Sequence, residues 1–199
     1  MALVRRDLGG EARRLVAGRL YLRHPLTRDY ADWARLRGLS RAFLTPWEPA
    51  WRPDELSRAS YREKLRRYHE DAREGRGYAF FSFRQEDDAL LGGVTLSQVR
   101  RGAAQSATLG YWVGQPHRRQ GYTREAGLAV LEFAFEELGL HRLEASCLPE
   151  NTASQGVLQQ LGFRLEGCAR GYLRIDGEWR DHYVFGLLRE DFKGRSRDG

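Results

Sequence analysis

The stretch from Ser106 to Leu148 constrains this chain most. A strand-like run (Ser106–Gly114), a basic loop ending in glycine, a helix-period segment (Gly121–Leu138) and a second strand-like run (Arg142–Leu148) follow one another without a linker. Leu128, Leu131, Phe135 and Leu138 recur at helical spacing, and Gly139 is a natural C-cap. Such a helix has one apolar face to bury, and a sheet made by the flanking strands is the surface that accepts it.

The remaining segments extend the pattern. A strand at Arg19–Arg23 leads to Thr27, a candidate N-cap for a helix carrying Tyr30, Trp33 and Leu36. Phe43 to Pro53 is too rich in proline for regular structure, and a largely polar helix is expected over about Asp54–Glu74. Strand-like runs follow at Tyr78–Phe83 and Leu90–Val99, joined by the polar turn Gln85–Asp88. After Leu148 comes a short helix from near Asn151 to Gly162, then strands at Phe163–Ala169, Tyr172–Ile175 and Trp179–Leu187, the last two joined by Asp176-Gly177. The order β-α-α-β-β-β-α-β-α-β-β predicts a mixed α/β (α+β) fold, a mixed sheet with helices on both faces. Residues 19–192 read as one domain, 1–18 as an N-terminal extension and 193–199 as a disordered tail.

Composition excludes several functions. No window holds the roughly 18 apolar residues of a membrane span, and residues 1–18 lack an apolar signal core, so the expected location is cytoplasmic with no membrane partner. Cys147 and Cys168 stand far apart, and His24, His69, His117, His141 and His182 show no ligand spacing, so no metal is expected. The net charge is +6, yet of 33 basic residues only Lys64 and Lys193 are lysines, a skew that a GC-rich coding sequence explains. The excess charge favours polyanions such as CoA phosphates, acidic peptides or ribosomal RNA, and does not choose among them. No basic run is interleaved with aromatics, so no direct nucleic-acid module is expected.

Two segments carry the chemistry. Gly110-Tyr111-Trp112-Val113-Gly114 runs into a loop with Arg118, Arg119, Gln120 and Gly121, and a helix starts at Tyr122-Thr123-Arg124. A helix N-terminus exposes unpaired N–H groups and a partial positive charge, which suits phosphate or pyrophosphate; alone, the stretch reads equally well as a solvent-facing loop. The spacing is neither that of a P-loop nor G-x-G-x-x-G. The second segment is Glu150-Asn151-Thr152-Ala153-Ser154, where Asn151 can cap a helix.

As a set these motifs resemble the GNAT N-acetyltransferase superfamily. Arg118-x-x-Gly121-x-Thr123 is similar to its pyrophosphate loop, and Asn151-x-x-Ser154 with Gly162-Phe163 to its second motif. The resemblance is closest to the branch that acetylates N-terminal alanine of ribosomal proteins, and it spans about Arg19 to Phe192. It implies a mostly antiparallel sheet splayed in the middle, acetyl-CoA as co-substrate and direct attack by an amine. Pantetheine lies along Trp112 and Val113, the Val113 N–H polarises the thioester carbonyl, and the amides of Arg119 to Arg124 hold the pyrophosphate. Asn151 binds the CoA arm, and Ser154 sits near the sulfur, able to protonate or hydrogen-bond the departing thiolate. The implied acceptor is an Ala or Ser N-terminus of a protein, ribosomal among the candidates, acted on by a monomer or homodimer. The alternatives are a small amine as acceptor, or a catalytically weak acyl-CoA-binding module.

This sequence departs from the family at three positions. Thr123 replaces a Gly or Ala in the loop, Leu158 stands where many members place a tyrosine acid, and Thr108 stands where a glutamate base often occurs. Trp47, Glu48 and Tyr111 are the candidate acceptor-binding residues, with Glu48 holding the substrate amine. Glu48 and Glu150 are candidate bases. Trp51, Tyr172, Tyr183 and Cys147 read either as cleft lining or as packing.

Overall fold

A computed structural model describes residues 14–192. Its strands are β1 (Leu15–Ala17), β2 (Leu20–Arg23), β3 (Tyr78–Arg84), β4 (Leu90–Arg100), β5 (Ser106–Val113), β6 (Arg142–Cys147), β7 (Arg164–Ile175) and β8 (Glu178–Leu188). The helices are α1 (Tyr30–Leu39), α2 (Arg41–Leu44), α3 (Arg58–Arg73), α4 (Tyr122–Glu132) and α5 (Thr152–Gln160). One sheet runs β1-β2-β3-β4-β5-β6-β8-β7, antiparallel throughout except between β5 and β6. This is the mixed, mostly antiparallel architecture expected.

Strand alternation builds two cores. On one face Phe80, Leu109 and Leu143 meet Val130 and Leu131 of α4 and Leu158 of α5. On the other Phe81, Phe83 and Leu90 meet Trp33 and Leu36 of α1 and Tyr61 and Leu65 of α3. Leu158 is 1% exposed and belongs to the first core.

The sheet opens where β5 leaves β6. Those strands pair only from Ser106↔Arg142 to Thr108↔Glu144, after which β5 continues beside β4 and β6 beside β8. Beside these last shared pairs, β4 carries a bulge between Ser97 and Arg100 with Gln98 at φ 51°. A bulge raises local twist, and this one sits opposite Thr108, the last residue that β5 shares with β6. The parting of β5 from β6 leaves a wedge bordered by Leu109–Val113 and Ala145–Cys147. Because β5 and β6 are parallel and each is followed by a helix on the same face, the N-termini of α4 and α5 flank the mouth of that wedge.

Several sequence expectations change. Residues 15–17, within the expected extension, form β1 because Leu15 to Ala17 find partners in β2; the tail 193–199 lies outside the described residues. Thr27 does not cap α1. It begins a 3-10 turn, and Asp29 instead accepts the Leu26 N–H at 2.8 Å. Only the start of the proline-rich segment is regular, through the end of α2 and a 3-10 turn at Thr45–Trp47, with Pro46 inside the first turn where its missing N–H costs nothing; residues 48–53 form no helix or strand, as expected. The second long helix starts at Arg58, capped by Ser57 Oγ on the Ser60 N–H at 3.1 Å. The third ends its α-geometry at Glu132 and continues as a π-turn, Phe133–Glu137. The strands expected at 163–169 and 172–175 are one long β7, irregular between Ala169 and Leu173.

Candidate active site

The loop after β5 is shaped for an anion. Arg119 (φ 56°) and Gly121 (φ 83°) are left-handed, and Gly121 passes directly into right-handed α4. That left–right succession turns consecutive amide N–H groups to one side, and no side chain caps the helix. Glu125, in the first turn of α4, is engaged by Arg19. The Arg19 N–H donates to Oε2 at 3.0 Å, and its Nε and Nη2 donate to Oε1 at 3.0 and 2.5 Å. Arg19 Nη2 also donates to the Gln120 carbonyl at 2.6 Å, and its guanidinium lies 4.6 Å from the Tyr122 ring centre. One arginine therefore clamps the loop, a role sequence reasoning missed because Arg19 is 101 residues from Gln120. Arg118 rests over Phe43 at 4.6 Å, while Arg119, Gln120 and Arg124 are exposed and Thr123 is half-buried. The Tyr122 side chain is buried in the first core, so only its backbone is available to a cofactor.

In the wedge, ladder parity decides which amides are available. The Gly114 N–H donates to Leu91 O at 2.8 Å, and Val113 stands opposite Gly92. Alternation in an antiparallel pair then directs the Trp112 N–H to β4 and the Tyr111 and Val113 N–H groups away from it, toward the opening. Val113 keeps its expected access. Trp112 is corrected: its N–H belongs to the ladder, and its ring packs edge-on to Phe81 at 6.3 Å on the opposite face.

Across the wedge, Asn151 Oδ1 caps α5 by accepting the Ser154 N–H at 3.0 Å, leaving the Asn151 amide donors for another partner. Ser154 Oγ lies 2.8 Å from Tyr111 Oη, and Tyr111 Oη also donates to Ser154 O at 3.2 Å. Burial raises both the Tyr111 phenol and the Cys147 thiol above their ordinary values, so each stays protonated near neutrality. Tyr111 thus faces Ser154 inside the wedge.

The other side of the site is a braced wall. The two guanidinium nitrogens Nη1 and Nη2 of Arg37 donate to the two Glu48 oxygens at 2.7 Å each, and Trp51 Nε1 donates to Glu48 Oε2 at 2.8 Å. Arg37 lies between the Trp51 and Trp112 rings, at 4.4 and 5.0 Å from their centres. The Asp176 N–H, at the β7–β8 turn, donates to Glu48 O at 3.0 Å and ties this wall to the hairpin. Glu48 therefore braces this wall: both its oxygens are engaged, by three hydrogen bonds in all, and its charge is paired with Arg37. Glu150 pairs with Arg180, and Glu144, beside Thr108, pairs with Arg100 at 2.5 Å and Arg142 at 3.1 Å. Trp47 is half-buried beside this wall. Tyr172 is exposed with its ring edge toward His182, and Tyr183 packs on the first core beside Cys147.

A wedge between parallel strands, an uncapped helix N-terminus with an anion-shaped loop, and a hydroxyl facing the wedge suit a ligand with a phosphate end and an extended arm, the shape of an acyl-CoA. Comparison with known proteins agrees. Residues 19–164 match the family model described as an acetyltransferase (GNAT) domain. The chain is 32% identical over 179 residues to the [ribosomal protein uS5]-alanine N-acetyltransferase of Escherichia coli, covering 90% of this chain and 92% of that one. Among solved structures, Mycobacterium smegmatis RimJ in complex with CoA-disulfide superposes with a TM-score of 0.83 at 35% identity, over 87% of this chain and 84% of that one. The ribosomal-protein-S5-alanine acetyltransferase of Vibrio fischeri gives 0.83 at 26% identity, over 90% and 98%. The chain belongs to the GNAT acetyltransferase family, and it is an N-acetyltransferase that uses acetyl-CoA as donor. Among the described residues no helix is long and apolar enough to cross a membrane.

Proposed function

We propose that the acceptor is the free α-amine of an Ala or Ser N-terminus on a protein, a ribosomal protein being the first candidate. The observation that carries this reading is the state of the carboxylates around the site: Glu48, Glu150 and Glu144 are all held in ion pairs. None is free to act as a strong base or to gather a small polycation. An α-amine with a pKa near 8 is neutral in roughly a tenth of molecules at pH 7, whereas lysine is neutral in about one in 2,500. A site without a free base therefore suits the α-amine. The Escherichia coli and Vibrio fischeri relatives, both ribosomal-protein alanine acetyltransferases, support the same acceptor class.

In this reading the amides of Arg119 to Arg124 bind the pyrophosphate, with Arg118, Arg119 and Arg124 adding charge and Gln120, Gly121, Tyr122 and Thr123 contributing backbone. Val113 and the β5 edge beside Trp112 receive the pantetheine arm, and the Val113 N–H stabilises the oxyanion. The amide of Asn151 binds the same arm, and Ser154 hydrogen-bonds the departing sulfur. Trp47 and the Arg37–Glu48 brace line the acceptor entrance. Positioning supplies much of the rate, since two substrates held in register can gain up to about 7–11 kcal/mol.

The test is mass spectrometry after incubation with acetyl-CoA and a pool of peptides with free Ala, Ser or Met N-termini, mixed with N-blocked lysine peptides. Acetyl on Ala and Ser N-termini is the expected result. Acetyl confined to lysine, or product only with small amines, overturns the acceptor assignment. CoA binding without transfer to any amine would make the protein a binding module.

A further inference from the structure

We propose that the cavity between α3 and the β3–β4 pair is a specificity pocket for the acceptor, in which Arg67 receives an acidic side chain close behind the N-terminal residue that is acetylated. This rests on the peptide acceptor proposed above.

The cavity has a volume of about 510 Å³, within the range of sites that take small ligands. Thr95, Ser97 and Gln98 of β4 form its floor. Directly opposed residues of an antiparallel pair point to the same side of the sheet, and the partners of Thr95 and Ser97 are Gly110 and Thr108 of β5. Thr108 Oγ1 lies 3.5 Å from Gln98 Oε1. Gly110 is exposed, and a Cβ built there would meet nothing within 4 Å, so the sheet face is bare between Thr108 and Trp112 of the braced wall. Gly110 also stands on the edge of β5 that borders the wedge, since the pairing with β6 stops at Thr108. An extended peptide lying over Gly110 can present its amine to the wedge while its next residues run onto the cavity. The anion loop follows the other end of β5 and is not part of this surface.

The charges of the cavity select its occupant. Asp71 and Arg76, both on its wall, pair with each other at 3.0 Å, and Arg76 also binds Glu74. Arg67 is different. Three acids lie three or four residues from it on α3, the spacing at which a helix forms ion pairs. Each is paired elsewhere: Glu63 with Arg52, Glu70 with Arg66 and Asp71 with Arg76. Among the described residues Arg67 makes no hydrogen bond or ion pair, and neither does the Tyr68 hydroxyl beside it. Burial raises the Tyr68 phenol above its ordinary value, so it stays a donor near neutrality. A guanidinium and a phenol opening on one cavity form a donor pair without an acceptor, and a carboxylate satisfies both.

The test uses peptides with a free N-terminal Ala, identical except for Glu, Gln or Lys placed in turn at each of the next few positions. Thiol release from acetyl-CoA is followed with the full chain. At one or two adjacent positions Glu should raise kcat/KM about 5- to 10-fold over Gln, through KM, as suits a part-exposed charged hydrogen bond. Lys there should be the poorest, and the preference should shrink as salt is raised. Arg67→Gln should abolish the preference and Arg67→Glu should turn it toward Lys, with the CoA Kd within about twofold of wild type. Arg66→Gln, one residue away on the same helix but outside the cavity, should keep the preference for Glu. Equal rates for Glu and Gln peptides, or a preference that survives Arg67→Gln, overturn this inference and leave the peptide acceptor standing. So does an equal loss of preference in Arg66→Gln, because the general field of α3 would then be its source. No transfer to any N-terminal peptide overturns the acceptor reading and this inference with it.

Discussion

Gly121→Ala puts a number on the anion loop. Gly121 sits at φ 83°, where an L-residue other than glycine costs about 1–2 kcal/mol. Space adds nothing to that figure: a Cβ there meets Arg19 Nη2 at 3.5 Å as its nearest neighbour, an ordinary contact. The cost must appear in the free protein, in binding, or in both. If the loop keeps its shape, the free protein loses the full 1–2 kcal/mol, a Tm drop of roughly 2–8 °C for a chain of this size. If the exposed loop relaxes, the free protein melts near the wild-type temperature, but CoA must restore the left-handed residue on binding. Its Kd then rises by up to about 5- to 30-fold. The two losses together should come to about 1–2 kcal/mol, measured by calorimetric melting and by calorimetric CoA titration at one ionic strength. Gly121→Asn is the control, because asparagine tolerates the left-handed region while carrying a longer side chain. It should recover most of both losses. If Gly121→Ala melts and binds CoA like wild type, residue 121 is not held as described and the amides of 119–124 do not form the phosphate site. If Asn is as poor as Ala, crowding against Arg19 is the cause and not the backbone angle.

Two further outcomes are expected. Arg37→Ala leaves the Glu48 carboxylate partly buried without its partner and empties the space between Trp51 and Trp112, so it should cost about 3–5 kcal/mol by denaturant unfolding. Glu48→Gln, which keeps shape and an acceptor oxygen, should cost roughly 1–2 kcal/mol and raise the acceptor KM with the CoA Kd unchanged; an Arg37→Ala protein of wild-type stability would refute the brace. His24, stacked on Phe80 and close to His69, is held by burial, and then by the His69 charge, at about 4 against a usual 6.5. Its folded pKa lies below its unfolded one, so the unfolded chain takes up a proton first as pH falls. Stability should drop between pH 6.5 and 4 by up to about 3 kcal/mol and level off, for this group, below 4. His24→Phe should flatten that segment of the stability profile, and an unchanged slope would show that His24 is not its source.

How much of this was legible in the chain follows from distance along it. The helix 121–138, the turn at Asp176-Gly177 and the capping role of Asn151 are local, set by apolar period, left-handed turn residues and a side chain reaching its own backbone. The order of elements and the loop and asparagine motifs fixed the family resemblance, and with it the fold and the donor. Tertiary structure decided the contacts that no local pattern encodes. Glu48 read as a free carboxylate because its partner lies on another helix, and a bidentate guanidinium cancels what made it attractive as a ligand. Trp112 and Val113 are adjacent, yet the ladder sends one N–H into the sheet and the other toward the wedge, a parity set only by pairing with β4. Arg19 and Glu125 were two unremarked charges, and Tyr111 and Ser154 two separate motifs 43 residues apart, until folding placed them together. The sequence by itself determined the elements, the family and the donor because these rest on local period and motif order; charge pairing, amide direction and hydroxyl contacts depend on which distant strands meet, and only the folded sheet decides that.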